Sequence, residues 1–199
     1  MLTTTGNQLF PVFLKLEHLH VLIIGGGTIG LEKISAVLNN SPAATVTLIA
    51  KSVLPEIKAF ETRFEKLTIL EKAFETSDLD GKDLVIAATG DRELSSVIRG
   101  EATKRKLLIN VADTPDLCDF YLGSIVQKGD LKIAISTNGK SPTLAKRLKE
   151  VFNDALPDET QLSMDNLNTF REHLKGDFTN KVKQLNEITS VLIGKIKKE

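Results

Sequence analysis

The feature that most constrains the fold is the stretch HVLIIGGGTIGLEK, which spans His20–Lys33. An apolar run, Val21–Ile24, leads directly into three consecutive glycines, and Gly30 follows three residues later. A short, uninterrupted apolar run favours a strand that is buried on both faces. The residues after the glycines have a helical pattern up to Leu38, so the sequence predicts a strand, a tight glycine turn and a helix.

The glycines of this turn have the spacing Gly-x-Gly-x-x-Gly, which is informative when it lies between a strand and a helix. In that setting Gly25 permits the tight turn, Gly27 lets a pyrophosphate approach the backbone, and Gly30 lets the helix pack closely on the strand. Free amide groups near Thr28 and Ile29, at the helix N-terminus, then face the phosphates. The stretch therefore predicts a dinucleotide site. The alternative is a glycine-rich turn that holds no ligand.

Short apolar runs alternate with helical patterns up to Asp113. The predicted strands are residues 21–24, 45–50, 67–72, 83–89 and 107–113, and the helical patterns between them include residues 53–64 and 92–105. Strands that are almost wholly apolar indicate a parallel sheet covered by helices on both faces. Because such crossovers are right-handed, the predicted fold is α/β, with a Rossmann-like doubly wound parallel sheet in residues 1–113.

The pattern changes after Asp113. Two strands joined by the turn Lys128–Asp130 predict a hairpin, and Ser141 and Pro142 suit the cap and first turn of a helix. We expect residues 114–150 to form a small α+β dimerisation segment and residues 151–199 to form a helical C-terminal domain. A hairpin and one helix are too small to bury a core alone, so we expect this segment to pack against a second copy in a homodimer.

Composition excludes several classes of function. Lys and Arg together number 26, as do Asp and Glu, so the net charge is zero and no nucleic-acid partner is expected. A single cysteine and three histidines without motif spacing argue against a resident metal site. The N-terminus has no secretory pattern, and no run approaches the roughly 20 apolar residues that span a bilayer. We therefore expect a soluble, cytoplasmic protein without a membrane partner.

The end of the second predicted strand departs from the usual dinucleotide site. Such sites usually have an Asp or Glu there, which holds the adenosine ribose. This chain has Ala50, Lys51 and Ser52 instead, with no carboxylate before Glu56. Backbone groups and Ser52 can serve the ribose, while Lys51 suits a 2′-phosphate. These residues alone leave NAD and NADP both open.

Two further segments are candidates for ligand contacts at the carboxyl edge of the sheet. In AATGDREL, Thr89 and Gly90 are small enough for the nucleotide to lie against the backbone, and the equal alternative is an ordinary turn capped by Asp91. Asp113 follows the fifth strand, where partial desolvation makes a carboxylate a better proton acceptor. The alternative, which the local sequence favours, is an Asp that begins the turn before Pro115.

The segment STNGKSPTLAKR, residues 136–147, leads into a predicted helix N-terminus with basic residues nearby. Such a place suits a ligand that carries several carboxylates. The candidate substrate contacts in the segment are Asn138, Lys140, Ser141 and Arg147. The alternative is a capped surface helix with solvated lysines.

Four stretches, in consistent order, resemble one family. They are similar to the precorrin-2 dehydrogenase family, the dehydrogenase–chelatase module of siroheme synthases, and they read LFPVFLKLEHLHVLIIGGGTIGLEK, AATGDRELS, INVADTPDLCDFYLGSIV and ISTNGKSPTLAKRLKE. The resemblance covers residues 9–150 and extends more loosely into the tail. It implies an NAD-dependent oxidoreductase that converts precorrin-2 to sirohydrochlorin, with sirohydrochlorin ferrochelatase activity (Fe²⁺ insertion to give siroheme) in some members. It also implies a homodimer formed through the segment after the nucleotide domain.

The resemblance assigns roles to residues of this chain. The cofactor positions fall on Gly25, Gly27, Thr28, Ile29, Gly30, Lys51 and Ser52. The family's essential aspartate matches Asp113, and a serine near the tetrapyrrole site of some members corresponds to Thr137. Ser95 stands where the family has Asn, and Gly123 and Asn138 stand where it often has Pro and Gly. These departures leave the dehydrogenase activity as the expectation and leave iron insertion open.

Two other functions stay open. A non-enzymatic NAD(H)-sensing domain also pairs a doubly wound sheet with a dimerising appendage, but such domains usually keep the acidic residue after the second strand. An unrelated small oxidoreductase of the short-chain type needs a Tyr-x-x-x-Lys pair. The single tyrosine, Tyr121, is not followed by lysine four residues later, which argues against that type.

Overall fold

The structure, a computed structural model, describes residues 6–174 and 178–194. Its first five strands are β1 (His20–Ile24), β2 (Thr45–Ala50), β3 (Leu67–Glu71), β4 (Leu84–Ala87) and β5 (Leu108–Val111). They form one sheet in the order β3-β2-β1-β4-β5, and every neighbouring pair is parallel. From β1 the chain adds β2 and β3 on one side and then returns to add β4 and β5 on the other side. The strand order therefore reverses between β1 and β4, which is the switch point where ligands bind in open α/β sheets.

Helices cover both faces of this sheet. The helices are α1 (Thr28–Asn40), α2 (Pro55–Lys58) and α3 (Arg92–Lys104), with short 3-10 turns at Leu16–His18, Ala59–Thr62, Thr76–Leu79 and Pro115–Leu117. Alternate residues of β1 enter different cores: Val21 and Ile23 pack with Ile34 of α1, whereas Leu22 and Ile24 pack with Ile98 of α3. The predicted doubly wound parallel sheet is confirmed, because the four apolar residues of the central strand, Val21–Ile24, are all buried against one layer or the other.

The helical pattern of residues 53–64 predicts a longer α-helix than the one that forms. The α-helix is limited to α2, and the chain continues as the 3-10 turn Ala59–Thr62. Thr62 Oγ1 donates to the carbonyl of Ala59 at 2.9 Å, and the amide of Arg63 donates to the carbonyl of Phe60 at 2.9 Å. The tighter turns bring the chain round to enter β3, while Phe64 still packs in the core.

The remaining elements are β6 (Ser124–Lys128), β7 (Leu131–Ile135), α4 (Pro142–Ala155), α5 (Thr160–His173) and α6 (Phe178–Gly194). β6 and β7 form the predicted antiparallel hairpin, whose turn includes Gly129 at φ 60°. Gln161 of α5 holds that turn, since its Oε1 accepts from the Asp130 amide at 2.7 Å and its Nε2 donates to Asp130 Oδ2 at 3.1 Å. The hairpin and the helix that follows it thus form as predicted.

The chain divides into two compact units. One comprises the residues up to Leu122 together with Asn138–Lys140, and the other comprises Gly123–Thr137 and the residues from Ser141 onward. The boundaries that we placed near residues 113 and 150 stay predictions. Part of the predicted C-terminal domain, residues 175–177 and 195–199, lies outside the described residues.

Within residues 6–174 and 178–194, no helix is both long enough and apolar enough to cross a membrane. In the same part of the chain, no group of three or more His, Cys, Asp or Glu residues is arranged to hold a metal ion.

His20 is half-buried at the start of β1. Its Nε2 lies 2.8 Å from Thr47 Oγ1, and Lys82 Nζ lies 3.5 Å from its Nδ1. Its backbone amide donates to Asp83 Oδ2 at 2.7 Å. Burial lowers the pKa of His20 below its ordinary value of 6.5, with a further lowering by Lys82 that Asp83 opposes. The folded chain therefore resists protonation of this ring.

This lowered pKa predicts a loss of stability in mild acid. The stabilising contribution is complete above pH 6.5 and is lost as the pH falls towards the lower pKa of the folded state, because the unfolded chain then binds the proton more readily. The free energy of unfolding can be measured by urea titration from about pH 7.5 to about pH 5.5. We expect it to fall less steeply with falling pH in His20→Gln than in the unmodified chain. His18→Gln, which changes an exposed histidine nearby, is the control; an equal effect of both variants would contradict the assignment.

Candidate cofactor site

A cleft of about 400 Å³ lies at the carboxyl ends of β1, β2 and β4. Eight of the nine predicted cofactor residues line it, namely Gly25, Gly27, Thr28, Ile29, Lys51, Ser52, Thr89 and Gly90. The ninth, Gly30, packs behind the turn rather than in the cleft. The sheet thus brings three separate sequence segments to one edge, as the parallel topology requires. Their contacts with a cofactor stay predictions.

The glycine turn is closed by packing on two sides. Gly25 has φ 127°, and a Cβ there would lie 2.1 Å from the carbonyl oxygen of Ala88 in the β4 loop. A Cβ on Gly30 would lie 2.1 Å from the carbonyl oxygen of Gly25 itself. Both positions therefore require glycine for packing, and the positive φ of Gly25 requires it for backbone shape as well.

Gly26 is a constraint that the spacing rule does not include. A Cβ on Gly26 would lie 2.3 Å from the Ser52 carbonyl oxygen and 2.9 Å from the Ala50 Cβ. The amide of Leu54 also donates to the Gly26 carbonyl at 3.0 Å. The middle glycine thus brings the end of β2 against the turn. The run of three glycines signals that Gly26 is constrained, but it does not indicate that Ala50 and Ser52 impose the constraint.

Gly27 differs from its neighbours, because a Cβ there would meet nothing within 4 Å. It is the N-cap of α1, it has no side-chain cap, and no acidic residue occupies the first turn of the helix. The first amides of a helix lack partners within the helix and carry a partial positive charge. The open space over Gly27 and these amides suits the pyrophosphate of a dinucleotide.

The other side of the cleft includes two residues that the sequence analysis missed. Lys72 and Phe74 follow β3 and line the cleft. Lys72 Nζ lies 2.7 Å from Asp78 Oδ1 and 3.4 Å from Glu75 Oε2. The pKa of Lys72 is raised, chiefly by its hydrogen bond to Asp78. No motif marks these residues, since their place depends on the path of the chain after β3.

The segment after β4 forms the predicted turn capped by Asp91, and it also lines the cleft. Asp91 caps α3, because its Oδ1 accepts from the amides of Glu93 at 2.9 Å and Leu94 at 3.0 Å. Thr89 Oγ1 lies 2.9 Å from Ser95 Oγ, which is buried. Gly90 has φ 67°, and both Thr89 and Gly90 line the cleft. An ordinary capped turn is therefore present, and it also presents small residues to the cleft.

Asp113 lies two residues beyond β5 with φ 58°, a left-handed conformation that Asp tolerates better than most residues. It is exposed, whereas we expected partial desolvation. The reason is that the strand ends at Val111 and the chain turns, with the amide of Thr114 donating to the Val111 carbonyl at 3.3 Å. Asp113 does not line the cleft described above. Its catalytic role stays a prediction.

The turn that carries Asp113 is anchored by the segment after it. The amide of Asp119 donates to the Ile109 carbonyl at 2.8 Å, and the Ile109 amide donates back to Asp119 Oδ2 at 3.1 Å. Arg99 of α3 forms an ion pair with the same carboxylate. That guanidinium holds the pKa of Asp119 below its usual range. Asp119, at the end of this segment, is thereby fixed to both β5 and α3.

Cys118 and Asn110 add to this anchor. The Val111 amide lies 3.2 Å from Cys118 Sγ, and Asn110 Nδ2 donates to the Phe120 carbonyl at 2.8 Å. Burial raises the pKa of the Cys118 thiol above its ordinary value. Cys118 is therefore a packed residue that keeps its proton.

The predicted substrate residues near α4 have structural partners of their own. Thr137 Oγ1 donates to the Ser141 carbonyl at 3.1 Å, and Ser141 Oγ caps α4 by accepting from the Leu144 amide at 3.2 Å. Arg147 Nη1 lies 2.7 Å from Glu150 Oε2, and Lys140 is exposed. Asn138 has φ 54°, which explains how it replaces the glycine that the family often has there. Contacts of all five residues with a substrate stay predictions.

Comparison with known proteins identifies the family. A family model described as NAD(P)-binding matches residues 12–124. The chain belongs to this NAD(P)-binding family. A second model, described as the central part of a sirohaem biosynthesis protein, matches residues 128–152. The NAD(P)-binding match agrees with the predicted cofactor, NAD, and with the position of the cleft.

Relatives of this NAD(P)-binding chain include named siroheme synthases. The protein of Thioalkalivibrio sulfidiphilus is 36% identical over 148 residues, which are 74% of this chain and 30% of that protein. Siroheme synthase 1 of Cronobacter sakazakii is 39% identical over 150 residues, or 75% of this chain and 31% of that protein. The chain thus spans about a third of the length of these curated relatives.

A solved structure matches over nearly the whole of both chains. SirC, a precorrin-2 dehydrogenase, is 28% identical with a TM-score of 0.71, and the match covers 90% of this chain and 89% of that chain. The resemblance drawn from the four sequence stretches is confirmed by these matches.

Proposed function

We propose that this chain is an NAD⁺-dependent dehydrogenase that oxidises precorrin-2 to sirohydrochlorin in siroheme biosynthesis. The observation that carries the proposal is the fold match to a precorrin-2 dehydrogenase over 90% of this chain and 89% of the other. The cleft supports it, because Gly27 leaves open space at the N-terminus of α1 while Gly25 and Gly30 close the turn beneath it.

Separate residues of the chain would bind the cofactor and accept the proton in this oxidation. Bound NAD⁺ supplies the acceptor for the hydride that leaves the substrate. The amides near Thr28 and Ile29 hold the pyrophosphate, and Lys51 and Ser52 lie on the ribose side. Oxidation also releases a proton, and the exposed carboxylate of Asp113, on its anchored turn, accepts it.

The substrate is a macrocycle with several carboxylates, so its binding needs cations and free donors. Lys140 and Arg147 are exposed, and Arg147 is engaged only by Glu150 among the described residues. Thr137, Asn138 and Ser141 belong to the same loop at the start of α4. We infer that this loop and the first turns of α4 contact the carboxylates of the substrate.

We further infer a homodimer formed through the hairpin and α4. Leu144 and Val151 of α4 are 51% and 58% exposed, and Phe152 is 38% exposed. Such an apolar face on a helix that packs on a two-stranded hairpin suits a second copy. Sedimentation of the purified chain should show twice the monomer mass, and Val151→Asp should reduce it to the monomer. Cytoplasmic location stays a prediction.

The direct test is anaerobic incubation of the purified chain with precorrin-2 and NAD⁺. Sirohydrochlorin and NADH should appear in equal amounts, each followed by its absorbance. Turnover without NAD⁺ binding in the cleft, or binding without turnover, would contradict the proposal, and binding without turnover would favour a sensing domain. Adding Fe²⁺ after turnover tests whether the chain also inserts iron to give siroheme, with Fe²⁺ as a substrate.

A further inference from the structure

We propose that the cleft binds NADP⁺ as well as NAD⁺, and that Lys51 binds the 2′-phosphate which distinguishes the two. This inference rests on the proposed function, since it concerns the same nucleotide site. It goes beyond that function because it assigns a second cofactor and the residue that selects it.

Lys51 lies at the carboxyl end of β2 and lines the cleft. β2 ends at Ala50, so Lys51 is the first residue beyond the strand, where the adenosine ribose is held in folds of this type. Gly26 allows the backbone after β2 to pack closely on the glycine turn, because a Cβ on Gly26 would lie only 2.3 Å from the Ser52 carbonyl oxygen. The backbone that carries Lys51 is therefore packed against the same turn that faces the pyrophosphate.

The charged side chains around the cleft differ in whether an opposite charge offsets them. Lys51 is exposed, and it forms neither an ion pair nor a hydrogen bond with the described residues. The other lysine of the cleft, Lys72, lies 2.7 Å from Asp78 Oδ1, so its charge is largely offset. At the end of β3, Glu71 pairs with Lys58 at 2.5 Å. Lys51 thus has the uncompensated positive charge on the ribose side.

The carboxylates near the cleft are not placed to repel a 2′-phosphate. An acidic residue at the end of β2 binds the ribose hydroxyls of NAD⁺ and repels a 2′-phosphate. Here that position is basic, and the carboxylate among the residues lining the cleft, Asp91, is engaged in capping α3. The described part of the cleft therefore has no carboxylate placed to exclude NADP⁺.

Ser52 completes the site. Its side chain is exposed and has no hydrogen-bond partner among the described residues, so its hydroxyl is available to a ribose hydroxyl or to a phosphate oxygen. With NAD⁺ bound, Lys51 simply stays hydrated, which costs little. With NADP⁺ bound, Lys51 gains a charge-assisted hydrogen bond. The same residues thus accept both nucleotides.

The test is calorimetric titration of the full chain with NAD⁺ and with NADP⁺, comparing the unmodified chain with Lys51→Gln. We expect both nucleotides to bind, and Lys51→Gln to weaken the binding of NADP⁺ about tenfold more than it weakens the binding of NAD⁺. As the salt concentration rises, the affinity for NADP⁺ should also fall more steeply than the affinity for NAD⁺. Lys66→Gln is the matched control, because it removes one exposed lysine just before β3, at the opposite edge of the sheet, and should change neither affinity.

The outcomes separate this inference from the proposed function. Binding of NAD⁺ without NADP⁺, or an equal effect of Lys51→Gln on both, overturns the inference and leaves the dehydrogenase intact. Binding of both nucleotides with the expected effect of Lys51→Gln supports the inference even if precorrin-2 is not oxidised. Failure to bind either nucleotide overturns both.

Discussion

Gly25→Ala should destabilise the nucleotide unit by about 3 kcal/mol or more and abolish nucleotide binding. The added Cβ would lie 2.1 Å from the Ala88 carbonyl oxygen and 2.6 Å from its carbon, at a residue with φ 127°. Backbone atoms cannot move aside as a flexible side chain can, so the turn between β1 and α1 must shift. Thermal unfolding should show a fall in midpoint of roughly 10 °C.

Gly27→Ala, two residues further on, is the matched control with the opposite expected profile. Its Cβ meets nothing within 4 Å and its φ is −88°, so the unfolding midpoint should stay within about 1 °C. The methyl group would, however, occupy the space that the pyrophosphate needs, and NAD⁺ affinity should fall by about tenfold or more. Unchanged affinity in Gly27→Ala, or unchanged stability in Gly25→Ala, would contradict this division of roles.

Asp113→Asn should lower the rate of precorrin-2 oxidation by about 10²- to 10⁴-fold, because the amide cannot accept the proton. Asparagine is the suitable replacement, since it tolerates the left-handed conformation, here φ 58°, about as well as aspartate does. Alanine would add backbone strain and confuse the result. Anaerobic measurement of NADH formation at saturating NAD⁺ gives the rate.

The same variant should leave binding and stability unchanged. Asp113 is exposed, its carboxylate has no hydrogen-bond partner among the described residues, and it does not line the nucleotide cleft. Asp116→Asn makes the same chemical change three residues later, at an exposed carboxylate 3.2 Å from Arg92 Nη2, and should keep full activity. If Asp113→Asn retains more than about half of the rate, the proton acceptor is another group.

Much of the nucleotide unit followed from local sequence. The apolar run of β1 is buried on both faces, and Gly25 and Gly30 have the packing roles that their spacing indicates. Other features required contacts between distant residues. Gly26 is constrained by Ser52, and Lys72 reaches the cleft only because the chain after β3 passes it. No local pattern marks either residue.

The exposure of Asp113 does not follow from the strand pattern before it. The sequence places a carboxylate after an apolar strand, which led us to expect desolvation. The strand ends two residues earlier, and the turn, held by Asp119 and Arg99, leaves the side chain exposed. Exposure depends on the path of the backbone after the strand, and hydrogen bonds from residues six or more positions away set that path.

The sequence by itself determined the fold class and the glycine turn, because apolar periodicity and glycine spacing act over a few residues, and the resemblance of four stretches pointed to the family. Tertiary structure alone decided which glycine is free to face a ligand, which lysine of the cleft is paired and which is not, and how far Asp113 stands out from the sheet. Those properties depend on distances between segments separated by tens of residues, and packing of the sheet and helices fixes such distances.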